Sequence, residues 1–530
     1  MGDQRTTGVA RCGDGSELRF DWVYADAPTF EWVRDTEHWT RPMAPMEIWL
    51  WNHGWFDGAD RAWAEVDMRP PAVFYRFQIA GPFLYARATP YGPEEMMQIA
   101  ARYVAVRGEF GGARAFWETY AEPRIQAACN DIAGMGTSAP LSKTAELWGY
   151  GFHQTFTSSC LLAVANMPLV GLLTEHAGEQ AELIASEVTQ GGDNASQAID
   201  REIWEIARIA RQSASVRLAL ESGSDDLDAL RHEPDAAQFI AEFEAMIARH
   251  GWRSLGWDLL SETWRERPDA VLALIRTHLS GDGVSPTELA ERSAERRRAA
   301  TDLALSTLPA EKHDVFRGLV DQLDGYVFVR EGRAYWQMVI AGSVRTALLR
   351  RGAELVDAAR IDESSDILYL EPGDIDREGD LRGIIAANKA ALEQWRRSQP
   401  PDILGTPGEA AARSAARRTA ELRGSPASRG QVTGTARIVH GPEEAGRLQR
   451  GEIMVCVMTT PAWTPLFAIA GGIITETGGA LSHPAITARE YGIPAVVAVS
   501  GATERIPDGA LVTIDGGAGR VSVLAPSSVD

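Results

Sequence analysis

A chain of 530 residues is too long for one ordinary core and implies about three domains. Its net charge of -21 argues against a partner gripped through a phosphate backbone, and its 45% hydrophobic and 24% charged content is that of a soluble globular protein. Four cysteines, Cys12, Cys129, Cys160 and Cys456, lie far apart without CxxC or Cys/His ligand spacing. They read as reduced thiols of a cytoplasmic protein, with no metal site, no signal segment and no apolar run long enough to span a membrane.

Residues 1–92 form a mixed, aromatic-rich region that holds seven of the 16 tryptophans. FDWVYADAPTFEWVRDTEHWTRPMAPMEIWLWNHGWFDGADRAW alternates aromatic and polar residues with proline stops, and AVFYRFQIAGPFLYARATPYG predicts two strands around Gly81 and Pro82. Most of these rings read as core, because aromatic side chains bury large areas; the functional alternative is that some wall a pocket for a flat organic molecule. In DTEHWTRPMAP, the residues Asp35, Glu37, His38 and Arg41 crowd before two prolines that hold the loop extended. His38 and Arg41 are therefore candidates for binding an acceptor or a phosphoryl group.

Residues 93–395 read as helical. PEEMMQIAARYVAVRGEF, GEQAELIASEV, NASQAIDREIWEIARIARQSA, DAAQFIAEFEAMIARHG and PDAVLALIRTHLS repeat apolar residues at three- and four-residue spacing. Asn194 or Ser196 starts the third, Asp235 starts the fourth, and Gly251 stops it. His153, in LWGYGFHQTFTSSC, falls among aromatic and hydroxyl residues on a buried helix; it is either a hydrogen-bonded core residue or the base that deprotonates a substrate hydroxyl. In HGWRSLGWDLLSETWRERPDA, Arg253 and Asp258 read as a buried pair locking two helices. VREGRAYWQMVIAGSVRTALLRRGAELVDAARIDESSDILYL predicts a helix, a second helix and then a short strand, ILYL. Residues 396–423 bring Pro and Gly before an Ala/Arg-rich run, which reads as a hinge and linker.

The most informative stretch is TETGGALSHPAITAREYGIPAVV, residues 475–497. Gly472 to Thr475 predicts a strand, Ser482 an N-cap, Pro484 a first-turn residue, and Gly492 a left-handed C-cap before a strand that starts from Pro494. His483 then stands at the mouth of a helix, where free N–H groups and the helix dipole welcome an anion. Gly478 and Gly479 let the backbone approach what the ring carries, and the Ser482 hydroxyl can bond backbone or a phosphoryl oxygen. A histidine in that setting suits covalent phosphoryl chemistry.

This string, with GSPASRGQVTGTARIV and EIMVCVMTTPAWTPLF before it and VTIDGGAGRVSVL after it, resembles the phosphohistidine (swivelling) domain of the phosphoenolpyruvate synthase and pyruvate phosphate dikinase superfamily. The resemblance implies a phosphocarrier at His483 with Thr475, Gly478, Gly479 and Ser482 as its loop, and places Arg489 on another face of the helix, to pack or dock. It also implies that Arg253, Asp258 and Trp264 are positional matches to a run in the relatives, which makes Arg253 and Asp258 candidates for a phosphoryl or acceptor site as the alternative to a buried pair. It implies an α+β chain: a mainly helical acceptor-binding domain with a β-containing N-terminal part, then a β/β/α swivelling phosphohistidine domain at 424–530.

In larger relatives an ATP-grasp domain loads the histidine. No stretch here is assigned to such a domain, or to a barrel that would take pyruvate. The architecture resembles the large subunit of two-component aryl-phosphate synthases, including phenylphosphate and 4-cresol phosphate synthases, and the acceptor and histidine domains of rifampicin phosphotransferase. The resemblance thus implies ATP and Mg2+ bound mainly by a separate ATP-grasp subunit, and an acceptor that is a phenol or cresol. A natural-product hydroxyl, a carrier that modifies no small molecule, and a lyase that phosphorylates before elimination stand as alternatives.

Overall fold

The computed structural model describes residues 7–23, 26–35, 39, 41–68, 76–87, 93–160, 166–178, 181–188, 195–254, 256–279, 285–406, 422–459, 463–479 and 482–524. Two compact units emerge from it: residues 1–161, 256–261 and 336–419 in the first, and residues 162–255, 262–335 and 420–530 in the second. Secondary structure is mainly helical in the middle of the chain, with β-sheet at the N-terminal side and a mixed sheet at the C-terminal side. None of the described helices is long and apolar enough to cross a membrane.

In the first unit, β1 (Thr7–Arg11) and β2 (Glu17–Asp21) form a hairpin. β3 (Glu31–Arg34), β4 (Arg76–Ala80), β5 (Phe83–Arg87) and β6 (Ile403–Gly405) make an antiparallel sheet in the order β4-β5-β3-β6. The two strands expected around Gly81 and Pro82 are β4 and β5, with Ile79 opposite Leu84. Leu18, Phe20, Trp22, Trp32, Tyr85 and Leu404 fill one core, so the tryptophans named here are packing residues.

The proline-punctuated aromatic stretch hides a helix, Pro45–Ala64, that periodicity did not reveal. Gly54 and Gly58 look like breakers, each costing about 1 kcal/mol in a helix interior. They mark the crossing with the helix Leu141–Cys160, where a Cβ on Gly54 would collide with the carbonyl of Ala145, and one on Gly58 with the backbone of Gly149. Trp51, Trp55, Trp148 and Phe152 interlock around that crossing, with the Trp51 and Trp55 rings stacked at 4.1 Å.

Two further expectations need correction. The segment from His313 to Asp357 is one helix, and the first three residues of ILYL end a 3-10 turn, Ser364–Tyr369, with Leu370 as its extended C-cap, instead of forming a strand. The carboxylate of Asp366 explains the turn: it accepts from the amides of Asp362 and Glu363 and from Lys389 Nζ, fixing a capping arrangement that an extended chain could not make.

In the second unit, the helices Ala195–Gln212, Ala237–His250 and Pro268–Thr277 follow the predicted spans closely. Asp235 does not cap Ala237–His250. Its carboxylate instead accepts from Ser213 Oγ at 2.9 Å and Ser215 N at 3.2 Å, bracing the start of the neighbouring helix Ala214–Glu221. Gly251 follows the helix with right-handed backbone (φ -61°), so it ends the helix without the left-handed turn that glycine usually supplies.

The C-terminal sheet has the order β13-β12-β8-β9-β10-β11-β7. Its strands are β7 (Ser425–Ser428), β8 (Gln431–Ile438), β9 (Ile453–Cys456), β10 (Gly472–Thr475), β11 (Ala495–Val497), β12 (Leu511–Asp515) and β13 (Arg520–Val523). β8 to β11 run parallel, and Ile438, Ile453, Val455, Ile474, Val496 and Ile514 form the core on the sheet. Parallel strands β10 and β11 need a crossover, and the helix His483–Tyr491 supplies it.

Candidate functional site

The crossover helix begins at His483, with Ser482 in extended N-cap backbone and Gly492 left-handed at φ 67° behind Tyr491. β10 feeds it through a tight turn. Thr475 Oγ1 donates to Thr477 O at 2.7 Å, and Gly478 adopts φ 110°, where a Cβ would come within 2.7 Å of Ser482 Oγ. Gly479 has open space at its Cβ position. Thr475 thus ends β10, Gly478 and Gly479 follow it, and Ser482 precedes the helix, with residues 480–481 outside the described residues. The Ser482 side chain makes no capping bond, and its hydroxyl has no hydrogen-bond partner among the described residues.

His483 is 8% exposed, with the edge of Phe467 at 6.2 Å between ring centroids. Neither ring nitrogen has a hydrogen-bond partner among the described residues. Nδ1 lies 3.6 Å from Glu331 Oε2. Arg489 Nη1 donates to Ala427 O at 2.7 Å.

Arg253 belongs to the same unit and is 1% exposed. Its backbone is fixed by the bond from Trp264 N to Arg253 O at 2.9 Å and by the bridge between Ser254 and Thr263. The guanidinium carbon stands 5.1 Å from the Trp264 ring centroid and 5.9 Å from that of Tyr335. None of its three side-chain nitrogens has a hydrogen-bond partner among the described residues. Burial pulls its pKa down to about 10, while Tyr335 and Glu331 oppose the shift. A buried cation whose donors are all unused is costly unless an anion completes it.

Asp258 lies in the first unit, where Arg41 is a partner. Arg41 Nε donates to Asp258 Oδ2 at 2.8 Å, and Asp258 also accepts from Leu260 N, Ser261 N and Ser261 Oγ. Glu47, which the sequence did not single out, joins this cluster: Oε1 accepts from Trp39 Nε1 at 2.6 Å and Oε2 has no hydrogen-bond partner among the described residues. Burial first, then the charge of Asp258, pushes the Glu47 carboxyl up to about 8. His38 lies outside the described residues.

His153 is fully buried, 4.3 Å from Trp55 between ring centroids, with Trp63 Nε1 donating to Nδ1 at 3.3 Å. Burial lowers its pKa to about 3, so the ring is neutral at physiological pH. Among the described residues no group of three or more His, Cys, Asp or Glu is arranged to hold a metal ion.

Residues 448–519 match the family model described as PEP-utilising enzyme, mobile domain, and residues 153–331 match that of the rifampicin phosphotransferase fourth domain. His483 falls in the first of these, and Arg253 and Glu331 in the second. The chain is 26% identical to chondramide synthase cmdD of Chondromyces crocatus over 95% of its own length and 14% of that protein. It is 32% identical to a rifampicin phosphotransferase of Streptomyces sp, covering 63% of this chain and 40% of the relative. It is 28% identical to the uncharacterized phosphotransferase YvkC of Bacillus subtilis (strain 168), covering 66% of this chain and 44% of that one. The chain thus spans less than half the length of each of these curated relatives.

Proposed function

We propose that the chain is a phosphotransferase component that carries a phosphoryl group on His483 and delivers it to the hydroxyl of a small acceptor. One observation carries this reading. In the segment that matches the mobile domain, a buried histidine at a helix mouth keeps both ring nitrogens unused among the described residues, beside a glycine turn and an unengaged serine hydroxyl. The match of residues 153–331 to a rifampicin phosphotransferase domain supports the same chemistry. Arg253 is the cation that would face phosphoryl oxygens, since transfer of this group depends on positioning and charge neutralisation.

The phosphoryl group comes from ATP through an ATP-grasp subunit, with Mg2+ screening the polyphosphate on that side. The acceptor in this reading is a phenol or cresol, met by the Arg41, Asp258 and Glu47 cluster, with Glu47 as the group that takes the hydroxyl proton. A second reading replaces the phenol with a hydroxyl on a larger natural product; the names of two relatives, rifampicin phosphotransferase and chondramide synthase, favour it.

The test is to combine the chain with a candidate ATP-grasp subunit, ATP and Mg2+, and to search by mass spectrometry for phosphorylated phenol, cresol or macrocyclic alcohols. Phosphorylation of either acceptor class that is lost in His483→Ala supports the enzyme and separates the two readings. A stably labelled protein that passes nothing to any hydroxyl would favour a carrier instead.

A further inference from the structure

The long helix His313–Asp357 places Glu331 where its carboxylate is 4% exposed, with Oε2 3.6 Å from Nδ1 of His483, itself 9% exposed at the side chain. Residues 262–335 and 420–530 lie in one compact unit, so this approach is internal to it. An ionised carboxylate only accepts hydrogen bonds; the ring nitrogen facing it must be the one that carries hydrogen. The separation is slightly beyond a hydrogen bond, and a displacement of a few tenths of an ångström closes it, as is common before a catalytic complex forms. Glu331 also acts electrostatically on the buried Arg253 guanidinium, opposing the downward shift that burial imposes on it.

Building on the phosphotransfer reading, we infer that Glu331 is a positioning residue that holds the proton of His483 on Nδ1 and leaves Nε2 as the phosphoryl-accepting nitrogen. In loading, the Nε2 lone pair forms the N–P bond while the bond from phosphorus to the donor's leaving group breaks, and that group departs with the bonding pair. The ring becomes cationic, with its Nδ1 proton facing Glu331, which stabilises the charge as a carboxylate stabilises an imidazolium in a catalytic triad. In delivery, the acceptor oxygen forms the O–P bond, the N–P pair returns to Nε2, and the acceptor proton leaves to a base or to water. Nδ1 keeps its hydrogen throughout.

Two measurements on the full chain test this without a nucleotide, a partner subunit or an acceptor, so their failure is distinct from failure of the phosphotransfer reading. The first is the long-range 1H–15N correlation spectrum of 15N-histidine-labelled protein, with His483 assigned by its loss in His483→Asn. The inference expects a protonated Nδ1 and a bare Nε2 in the parent, and a mixture of tautomers in Glu331→Ala. The second uses phosphoramidate as the phosphoryl donor, releasing ammonia, with the product read by 31P NMR. The parent should form the Nε2 isomer alone; Glu331→Ala should react roughly tenfold more slowly and yield some Nδ1 isomer. If the alanine variant fails to fold, the near-isosteric Glu331→Gln carries the same comparison. A parent ring protonated on Nε2, or an unchanged isomer and rate in the folded variant, would overturn the assignment.

Discussion

The hydroxyl of Tyr491, the last residue of the helix that presents His483, donates to the carboxylate of Asp200 on the helix Ala195–Gln212. Immediately before it, Arg296 Nη2 donates to the carbonyls of Arg489 at 3.1 Å and Glu490 at 3.3 Å. A cation on the last carbonyls is the favourable arrangement for a helix dipole, and with the Tyr491 bond it ties the C-terminal end of the carrier helix to two helices of the same unit.

Asp200 should make stability fall as pH rises. It is 1% exposed, and burial holds its pKa up at about 6 against an ordinary 3.8, so the folded form binds the proton more tightly than the unfolded one. Stability is then greatest below about pH 4 as far as this group is concerned, declines through about pH 6, and stays lower above it. Asp200→Asn keeps an acceptor for Tyr491 and removes the decline, raising stability at pH 7 by about 3 kcal/mol, as read from urea unfolding across pH. A variant whose advantage over the parent is equal at pH 4 and pH 7 would contradict this.

The crossing of Pro45–Ala64 with Leu141–Cys160 should tolerate no side chain at its centre. Gly58→Ala and Gly149→Ala each thrust a methyl into backbone of the opposite helix, and each is expected to destabilise the protein by about 1–3 kcal/mol in denaturant titration. Gly111→Ala is the comparison: its Cβ position is open but φ is 77°, so the change costs only backbone strain, roughly 1 kcal/mol.

Arg253 is expected to separate stability from activity. Replacing a buried guanidinium with no hydrogen-bond partner among the described residues by an apolar chain of similar length removes a desolvation cost, so Arg253→Met should be neutral or stabilising by about 1–3 kcal/mol. The same variant should lose phosphoryl transfer by two orders of magnitude or more, as expected for a group that neutralises transferring charge. Thermal unfolding and single-turnover labelling read the two effects; a variant that is both unstable and fully active would show that Arg253 is a packing residue.

Glu47 sets the expected pH dependence of delivery. A base acts when deprotonated, and this carboxyl is held up at about 8, so transfer to the acceptor should rise with pH through that value and level above it. In Glu47→Gln the rise should vanish and the rate should fall about 10²-fold, while labelling of His483 stays at the parent level. Loss of labelling together with delivery would point to a folding defect instead.

What the sequence displayed was the chemistry of adjacent residues. β10, the N-cap position of Ser482 and the left-handed Gly492 were readable because each follows from residues within one turn of it. Contacts made by distant residues were not. Arg41 and Asp258 both stood out, but their pairing did not, and Arg253 seemed a partner for Asp258 although the fold assigns them to different units. Glu47 was invisible because its helix was hidden by glycines whose function is close backbone approach. Glu331 was not singled out in the sequence, because only the fold brings it to within 3.6 Å of Nδ1 of His483.

The most direct measurement is the intact mass and peptide map of the chain after incubation with ATP, Mg2+ and a candidate ATP-grasp subunit. The account predicts a gain of one phosphoryl mass, labile in acid, located on the peptide that contains His483, absent in His483→Ala and discharged on adding the acceptor. Full acceptor phosphorylation by His483→Ala, or a phosphoryl group mapped to any other residue of the chain, would contradict it.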